Sequence, residues 1–341
     1  MRPRSLHALL VATATLAGGV ACSGDAAPPL ASIRLDAERV AVAGLSSGAY
    51  MATQVHVALN ARVHGAALVA GGPYGCAQGA LETALGPCMI AQPAAPDVAA
   101  LAAAVNARAG DRRIDPLAAF DGDRVLVMHG AKDATVAPAL APATAALYRA
   151  LGGEALDLTL DDTRPFGHGL PTLDRGAPCD APAAPWLLHC NFDAAGEAMR
   201  ALYGDAASAA PSPAPQAAGT LSRFDQRELA PEGAAGLADA GFVYTPAACR
   251  DGACGALVVF HGCQQNAESV GETFVREAGF NRWADVHRVV VVYPQTQSSY
   301  VPLNPKACWD WWGYGGADYD LKTGGQIRFV ASLLDRLAGA R

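Results

Sequence analysis

Residues 40–54, VAVAGLSSGAYMATQ, place a short apolar β-like run directly before Gly-Leu-Ser-Ser-Gly, and small and apolar residues with helical spacing follow. This G-x-S-x-G pattern between a strand and a helix is typical of a nucleophile elbow, a sharp turn that projects a serine hydroxyl above a sheet. Gly44 and Gly48 fit because a side chain at either position would collide with the neighbouring strand or helix. Ser46 is therefore the candidate nucleophile. Since such a short pattern also arises by chance in a Gly-rich chain, its meaning depends on the surrounding elements.

Apolar strand-like runs alternate with helical stretches through the first half of the chain. Three further strand runs cover residues 65–72, 124–129 and 156–162. This alternation predicts an α/β fold with a doubly wound, mostly parallel sheet. In such sheets functional groups gather at the carboxyl ends of the strands. Ser46, Asp133 and His168 each follow a predicted strand, so we expect the three side chains to meet there.

These three residues have the types and the chain order of a hydrolase triad. A serine is activated by a histidine that takes its proton, while a carboxylate orients the imidazole and stabilises its charged form. The order Ser, Asp, His is that of the α/β-hydrolases. We therefore expect Ser46 to be the nucleophile, His168 the base and Asp133 the carboxylate.

Other residues compete for two of these roles. Asp161 or Asp162 is an alternative to Asp133, although both lie at a strand end. His129 is the chief rival base, yet it ends an apolar strand, where a structural histidine is expected. Two histidines that flank the elbow helix are expected to be packing or surface residues: His56 and His64.

An acyl-transfer site also needs an oxyanion hole, which uses the backbone N–H after the nucleophile and a second N–H from the loop after an earlier strand. No strand before Ser46 can supply this loop, but residues 255–263, GALVVFHGC, form such a strand late in the chain. A helical pattern at 267–288, a buried strand at 289–295 and an amphipathic helix at 323–339 follow it.

Read cyclically, these late elements precede the elbow, so the sequence predicts a circularly permuted α/β-hydrolase fold. A permutation requires a joint between the old termini, and residues 206–220, AASAAPSPAPQAAGT, have the composition of a linker. The alternative is an ordinary segment between two independent domains. We favour one catalytic domain over residues 36–341, because neither half alone would contain a complete site.

The N-terminus resembles an export signal. Residues 1–21 carry two arginines, an apolar run and small residues, as in a secretory signal peptide, and 22–35 read as a flexible spacer. Cys22 is a candidate lipid-modified first residue, although Gly19 stands where lipoprotein signals usually have leucine. We expect a secreted or periplasmic protein whose membrane contact is limited to a possible lipid on Cys22.

Charge and cysteine content narrow the class further. Loss of Arg2 and Arg4 with the signal takes the formal charge of −7 by two units to −9, which argues against a nucleic-acid partner.

Eight cysteines remain after Cys22, an even number that indicates disulfides in an exported chain. The sequence lacks the C-x-x-C pairs and His/Cys clusters of a metal site. Roughly a hundred pairings are possible; we expect Cys76–Cys88, Cys179–Cys190, Cys249–Cys254 and Cys263–Cys308.

The motifs together point to one family. In order, the chain carries GLSSGAYMATQ, AGGPYGCA, HGAKDATV, GHGLPT, VVFHGCQQ, GFNRWAD, VVYPQ and CWDWWGYGG. This series resembles segments of the single-domain extracellular and periplasmic poly(3-hydroxybutyrate) depolymerases, which have a permuted α/β-hydrolase fold, and it covers nearly the whole mature chain. The resemblance implies Ser46, Asp133 and His168 as the triad, and the backbone N–H groups of Ser47 and Cys263 as the oxyanion hole.

The CWDWWGYGG segment is the expected substrate wall. A disulfide from Cys308 to Cys263 would fasten it beside the oxyanion donor, where aromatic rings can hold a methyl-bearing polyester. The candidate contacts are Trp309, Trp311, Trp312 and Tyr314. We expect at least one of these rings in the core, and Trp311 or Trp312 against the substrate.

The sequence therefore predicts a serine esterase that hydrolyses poly(3-hydroxybutyrate) or its oligomers without a metal or organic cofactor. An exported carbohydrate esterase of the feruloyl or acetyl xylan type would share this site. A peptidase and a non-catalytic exported binding protein are the further alternatives. Oligomeric state, crystalline against amorphous substrate, and polymer against oligomer preference stay open.

Overall fold

The computed structural model describes residues 26–204 and 216–340. Its strands are β1 Leu35–Leu45, β2 Gly65–Val69, β3 Arg124–Met128, β4 Asp157–Asp161, β5 Leu170–Thr172, β6 Ala177–Pro178, β7 Leu187–His189, β8 Thr220–Asp225, β9 Ala240–Thr245, β10 Cys254–Phe260, β11 Val289–Tyr293, β12 Ser299–Tyr300 and β13 Leu303–Asn304. Its α-helices are α1 Ser47–Ala58, α2 Leu81–Leu85, α3 Val98–Gly110, α4 Leu140–Gly152, α5 Ala194–Tyr203, α6 Ala267–Val270, α7 Thr273–Glu277, α8 Phe280–His287 and α9 Gly325–Leu337.

One eight-stranded sheet carries strands from both halves of the chain, in the order β4-β3-β2-β1-β10-β11-β9-β8. The strands from β4 to β11 pair in parallel, and β9 and β8 form an antiparallel edge. The predicted mostly parallel, permuted α/β-hydrolase fold is confirmed. Because late strand β10 pairs with β1, with Gly44 opposite Phe260, the loop after β10 lies beside the elbow.

Alternating side chains of the central strands fill a core on each face of the sheet. In β1, Val40 and Val42 belong to one core, whereas Ala41, Ala43 and Leu45 belong to the other. Helices α1 and α9 cover the first face, and α5 and α8 cover the second. A sheet covered on both faces explains why its strands read as continuous apolar runs.

The helical pattern at 267–288 is divided into α6, α7 and α8 rather than one helix. Gly271 ends α6 with φ 60°, and Gly279 precedes α8 with φ 98°. Both have a positive φ, which glycine adopts at little cost and which a right-handed helix cannot contain.

The predicted flexible spacer at 22–35 differs from the structure. Residues 22–25 lie outside the described part, but Leu30 is buried and β1 already begins at Leu35. The Asp225 N–H donates to the Pro28 oxygen and the Ile33 N–H to the Leu337 oxygen, so this segment is packed against the domain. An apolar side chain such as Leu30 gains by covering the core edge, which composition alone did not indicate.

The other terminal and linker predictions fall mainly on undescribed residues. The signal peptide 1–21 and Cys22 lie outside the described part. So do residues 206–215 of the predicted linker 206–220, while Thr220 already begins β8. Within residues 26–204 and 216–340, no helix is both long and apolar enough to cross a bilayer.

The cysteines form disulfides in the expected pairs: Cys76–Cys88, Cys179–Cys190, Cys249–Cys254 and Cys263–Cys308. The first three close short loops, with sequence separations of 12, 11 and 5 residues. The fourth spans 45 residues and joins the loop after β10 to the aromatic segment.

Candidate active site

Ser46 occupies the turn between β1 and α1 in a strained conformation, with φ 57° and ψ −122°. The turn is held by a hydrogen bond of 2.9 Å from the Ser46 N–H to the Val69 oxygen. Glycine is required on both sides: a Cβ on Gly44 would overlap the backbone of Gly48, and a Cβ on Gly48 would overlap the Phe260 carbonyl. The elbow thus aims a partly exposed hydroxyl away from the sheet.

The loops after β3 and β4 bring the other two triad candidates to this hydroxyl. His168 Nε2 lies 3.0 Å from Ser46 Oγ, and His168 Nδ1 lies 2.8 Å from Asp133 Oδ2. The two loops contact each other closely, since the Lys132 N–H donates to the Phe166 oxygen at 3.1 Å. The three predicted side chains therefore form a continuous hydrogen-bonded chain, as a serine–histidine–carboxylate triad requires.

Asp133 is fixed and kept ionised by its surroundings. Its Oδ1 accepts from the Thr135 and Val136 N–H groups at 2.8 and 2.9 Å. Burial alone raises the pKa of Asp133, but hydrogen bonds from His129, His168 and the Val136 N–H outweigh it and hold the pKa below its usual range. A charged Asp133 can orient the His168 ring and stabilise its protonated form.

The rival candidates have other partners. His129 is buried behind Asp133, with Nε2 2.9 Å from the Val136 oxygen and 3.3 Å from Asp133 Oδ2. It therefore supports the carboxylate. Asp161 pairs with Arg164 at 2.9 Å. His56, in the last turn of α1, and His64, after the helix, both face Asp123, at 3.0 and 3.5 Å.

The two oxyanion candidates both lie close to Ser46. Ser47 is the first residue of α1, where backbone N–H groups have no partner within the helix. Gly262, directly before Cys263, is close enough that a Cβ on it would lie 3.4 Å from Ser46 Cβ. Ser46, Ser47 and Cys263 all line one cavity. The sequence thus predicted a juxtaposition that the structure contains.

Two buried side chains orient the loop that carries Cys263, and sequence reasoning missed them. His261 Nδ1 donates to the Gly262 oxygen at 2.7 Å, and Gln265 Oε1 accepts from the Gly262 N–H at 2.8 Å. Because the C=O and N–H of one trans peptide point in opposite directions, fixing the Gly262 oxygen also fixes the Cys263 N–H. The available signal was the His-Gly pair at the end of the predicted strand 255–263, which indicates the turn of the second oxyanion donor but not the role of the imidazole.

Burial keeps the His261 ring uncharged. Burial lowers the pKa of His261 to about 4, so the ring is neutral at pH 7. Its Nε2 lies 3.3 Å from the Thr296 nitrogen, whose N–H donates to it. The Thr296 hydroxyl donates instead to the Ala307 oxygen at 2.6 Å, so His261 accepts at Nε2 and donates at Nδ1.

The triad opens into a cavity of about 520 Å³ with mainly apolar walls. Trp311 and Trp312, one of which is expected to contact the substrate, both line it, and Trp311 stacks on Tyr50 with ring centroids 4.5 Å apart. Further apolar wall residues that the sequence did not single out are Leu81, Leu85, Met89 and Trp186. They come from α2, the turn after it and a loop without a recognisable motif.

Trp309 and Tyr314, also predicted as substrate contacts, are not among the residues that line this cavity. Trp309 is fully buried, edge-on to Phe260 with centroids 4.9 Å apart. The Tyr314 hydroxyl donates to the Cys308 oxygen at 3.0 Å. Both rings lie outside the cavity lining because the segment folds into a tight turn around the Asp310 carboxylate, which accepts backbone N–H groups at 2.7–2.9 Å.

Comparison with known proteins gives consistent results. No family model matches the chain. It is 36% identical over 320 residues to a poly(3-hydroxybutyrate) depolymerase of Delftia acidovorans, covering 93% of this chain and 63% of the relative, so it spans less than two thirds of that protein. It is 30% identical over 329 residues to a polyhydroxybutyrate depolymerase of Talaromyces funiculosus, covering 92% of this chain and 93% of the relative.

Solved structures agree with the sequence relatives. The crystal structure of a PHB depolymerase from Penicillium funiculosum matches with a TM-score of 0.80 and 28% identity, over 92% of this chain and 100% of that chain. A serine-to-alanine variant of a PHB depolymerase in complex with an R3HB trimer matches with the same TM-score, 27% identity and the same coverage. With 30% identity over nearly the full length of the Talaromyces protein, and with its elbow, triad geometry and permuted sheet, this chain belongs to the polyhydroxybutyrate depolymerase family.

Proposed function

We propose that the protein is a serine esterase that hydrolyses poly(3-hydroxybutyrate) or its oligomers through an acyl-enzyme intermediate. The observation that carries the proposal is the chain of contacts from Ser46 Oγ through His168 to Asp133, at the base of an apolar cavity. The names of the two relatives, and the R3HB trimer bound to a related structure, support a polyester substrate.

The first half-reaction follows from the distances in the triad. Ser46 Oγ attacks the ester carbonyl carbon while His168 Nε2, 3.0 Å away, takes the hydroxyl proton. Asp133 stabilises the imidazolium that forms. The N–H groups of Ser47 and Cys263 bind the tetrahedral oxyanion, and each contributes about 2.7 to 4 kcal/mol of barrier lowering. His168 then gives its proton to the departing alcohol oxygen.

The second half-reaction uses the same groups. Water enters where the alcohol has left, His168 takes its proton, and the resulting hydroxide attacks the acyl carbon. The second tetrahedral intermediate collapses, Ser46 regains its proton, and the free acid leaves. Because each proton moves between oxygen and imidazole, the cycle needs no group beyond the triad, the oxyanion donors and water.

The mouth of the cavity favours a polymer over a sugar ester. Leu81 and Leu85, which line the cavity, have exposed fractions of 43% and 44%. Leu303, which also lines it, is 58% exposed and belongs to the β12–β13 hairpin, whose turn residues Tyr300 and Val301 are 81% and 93% exposed. An apolar rim of this kind suits contact with a water-insoluble polyester, whereas sugars are bound mainly through hydrogen bonds.

We further infer that the protein acts outside the cytoplasm, because residues 1–21 have the pattern of a signal peptide and the fold contains four disulfides, which persist in oxidising compartments. Mass spectrometry of the protein from the periplasm or medium of a bacterial host tests this. An N-terminus at Cys22 with a diacylglycerol adduct would support lipidation, and an unmodified one would exclude it.

The direct test of activity incubates the purified mature protein with amorphous poly(3-hydroxybutyrate) and identifies released acids by mass spectrometry. We expect 3-hydroxybutyrate and short oligomers from the wild type and none from Ser46→Ala. A fluorophosphonate should label the wild type and leave Ser46→Ala unlabelled. Preferential hydrolysis of feruloyl or acetyl sugar esters would refute the polyester proposal, and absence of labelling would refute a serine mechanism.

A further inference from the structure

The walls of the active-site cavity differ in polarity. Leu81, Leu85 and Met89 form an apolar side, whereas Gln264 and Lys306 lie together on the side of the oxyanion loop. Of the cavity-lining residues in the described chain, Lys306 alone carries a permanent charge. An exposed cation in a mainly apolar cavity is suited to bind an anionic group of the ligand.

The fold fixes the backbone on which Lys306 stands. The Gln264 N–H donates to the Lys306 oxygen at 2.7 Å, so the two residues are adjacent across the loops. The Asn304 side chain closes the turn around Lys306 by bonding the Cys308 N–H and oxygen, both at 2.9 Å. The disulfide from Cys308 to Cys263 then ties this turn to the candidate oxyanion donor.

Within the described part of the chain, Lys306 also has no carboxylate partner in an ion pair. The other two lysines of the mature chain pair with aspartates, Lys132 with Asp180 and Lys322 with Asp115. Across residues 26–204 and 216–340, no ion pair within 4.0 Å includes Lys306. Its ammonium group is therefore available to bind an anion, and Gln264, joined to it through the backbone, lines the same cavity.

A poly(3-hydroxybutyrate) chain has a single ionised group, the free carboxylate at one end. Ester cleavage divides the chain into an acyl fragment, which retains the hydroxyl end, and an alcohol fragment, which retains the carboxyl end. The carboxylate is thus always on the leaving fragment. For bonds near this end it is only a few atoms from the departing oxygen, within the span of the cavity.

We propose that Lys306, assisted by Gln264, binds the terminal carboxylate of the leaving fragment and so directs cleavage to ester bonds near the carboxyl end of the chain. This proposal rests on the esterase function proposed above. Because Lys306 is solvent-exposed, its effect is modest and salt-dependent, about 2- to 5-fold in kcat/KM at low ionic strength.

The test compares two soluble substrates, the 3-hydroxybutyrate trimer as free acid and as its methyl ester. For the wild type we expect a ratio of kcat/KM, acid over ester, that falls about 2- to 5-fold in Lys306→Gln and further in Lys306→Glu, while methyl ester hydrolysis stays unchanged. Lys306→Arg should retain the ratio. Added 0.5 M NaCl should lower the ratio of the wild type and leave that of Lys306→Gln constant.

Lys322→Gln is the matched control, since it removes a partly exposed lysine that neither lines the cavity nor adjoins a triad residue. Unchanged methyl ester hydrolysis also shows that each variant is folded. An equal ratio in wild type and Lys306→Gln overturns the proposal and leaves the esterase function intact. Failure of the wild type to hydrolyse either trimer overturns the esterase function and this proposal with it.

Discussion

Replacement of His261 tests how the oxyanion site is built. His261→Leu removes the 2.7 Å hydrogen bond to the Gly262 oxygen and the partner of the Thr296 N–H, while Gln265 still holds the Gly262 N–H. The Gly262–Cys263 peptide then loses its side-chain anchor, and only the preceding His261–Gly262 peptide stays held, by Gln265. Loss of a whole oxyanion donor lowers kcat by about 10²- to 10³-fold. For a donor that is misoriented rather than deleted, we expect a fall of roughly 10- to 100-fold.

The assay is steady-state hydrolysis of p-nitrophenyl butyrate at pH 7.5, with kcat and KM determined separately. Because the oxyanion donor acts on the transition state, kcat should fall while KM changes little. His261→Asn is the matched variant, since its amide N–H lies close to the position of Nδ1 and can still donate to Gly262. It should retain most of the activity that His261→Leu loses.

Two results would refute this reasoning. One is a His261→Leu enzyme that unfolds at the wild-type temperature and keeps kcat within about 2-fold of wild type, since the orientation of Cys263 would then not depend on the imidazole. The other is an equal loss of kcat in the Asn and Leu variants with both proteins folded. That outcome would assign the effect to packing against Trp309 rather than to the donated hydrogen bond.

Three further predictions concern charge and cross-linking. Asp133→Asn should lower kcat by about 10⁴-fold in the same assay, because the amide favours the wrong tautomer of His168. A loss below about 10-fold would argue against Asp133 as the carboxylate that orients His168. The folded pKa of His261 is about 4, against 6.5 for the ordinary group. As pH falls from 6.5 to 4, only the unfolded chain gains this proton, so the free energy of unfolding should fall by roughly 3 kcal/mol. Urea titrations at several pH values should show that the free energy of unfolding of His261→Asn depends less on pH over this range. Replacing Cys263 and Cys308 together by serine removes a disulfide that links residues 45 positions apart, and should lower the free energy of unfolding by about 4 kcal/mol. An unchanged midpoint of urea unfolding would contradict this prediction.

Local patterns were sufficient for the elements that place the triad. The elbow around Ser46 could be predicted because its backbone requires glycine on both sides, and the apolar runs of β1 and β10 indicated strands buried on both faces. The permutation could be inferred because the His-Gly loop that the elbow needs occurs after it. All four cysteine pairs followed from proximity along the chain and elimination.

Features that depend on irregular loops could not be predicted in the same way. The direction of each ring in CWDWWGYGG is set by the turn around Asp310, whose carboxylate binds the N–H groups of Gly313, Tyr314 and Gly315. No periodicity encodes this turn, so Trp309 could not be distinguished from Trp311. The wall formed by Leu81, Leu85 and Trp186 depends on tertiary folding of segments that have no catalytic pattern.

The positioning residues were missed for a related reason. His261 and Gln265 act through the Gly262 backbone, and a sequence shows residue types but not which carbonyl or N–H a side chain reaches. Likewise, His129 was weighed as a base because histidine at a strand end is compatible with either role. Its contacts with Val136 and Asp133 distinguish the two.

The most direct measurement is the crystal structure of the protein inhibited by a fluorophosphonate. The phosphorus should be bonded to Ser46 Oγ, and one phosphonyl oxygen should lie within about 3.2 Å of both the Ser47 and the Cys263 nitrogens, with His168 Nε2 facing the leaving-group side. An adduct on another residue, or a phosphonyl oxygen that points away from Cys263, would contradict a site assembled from the two halves of the chain.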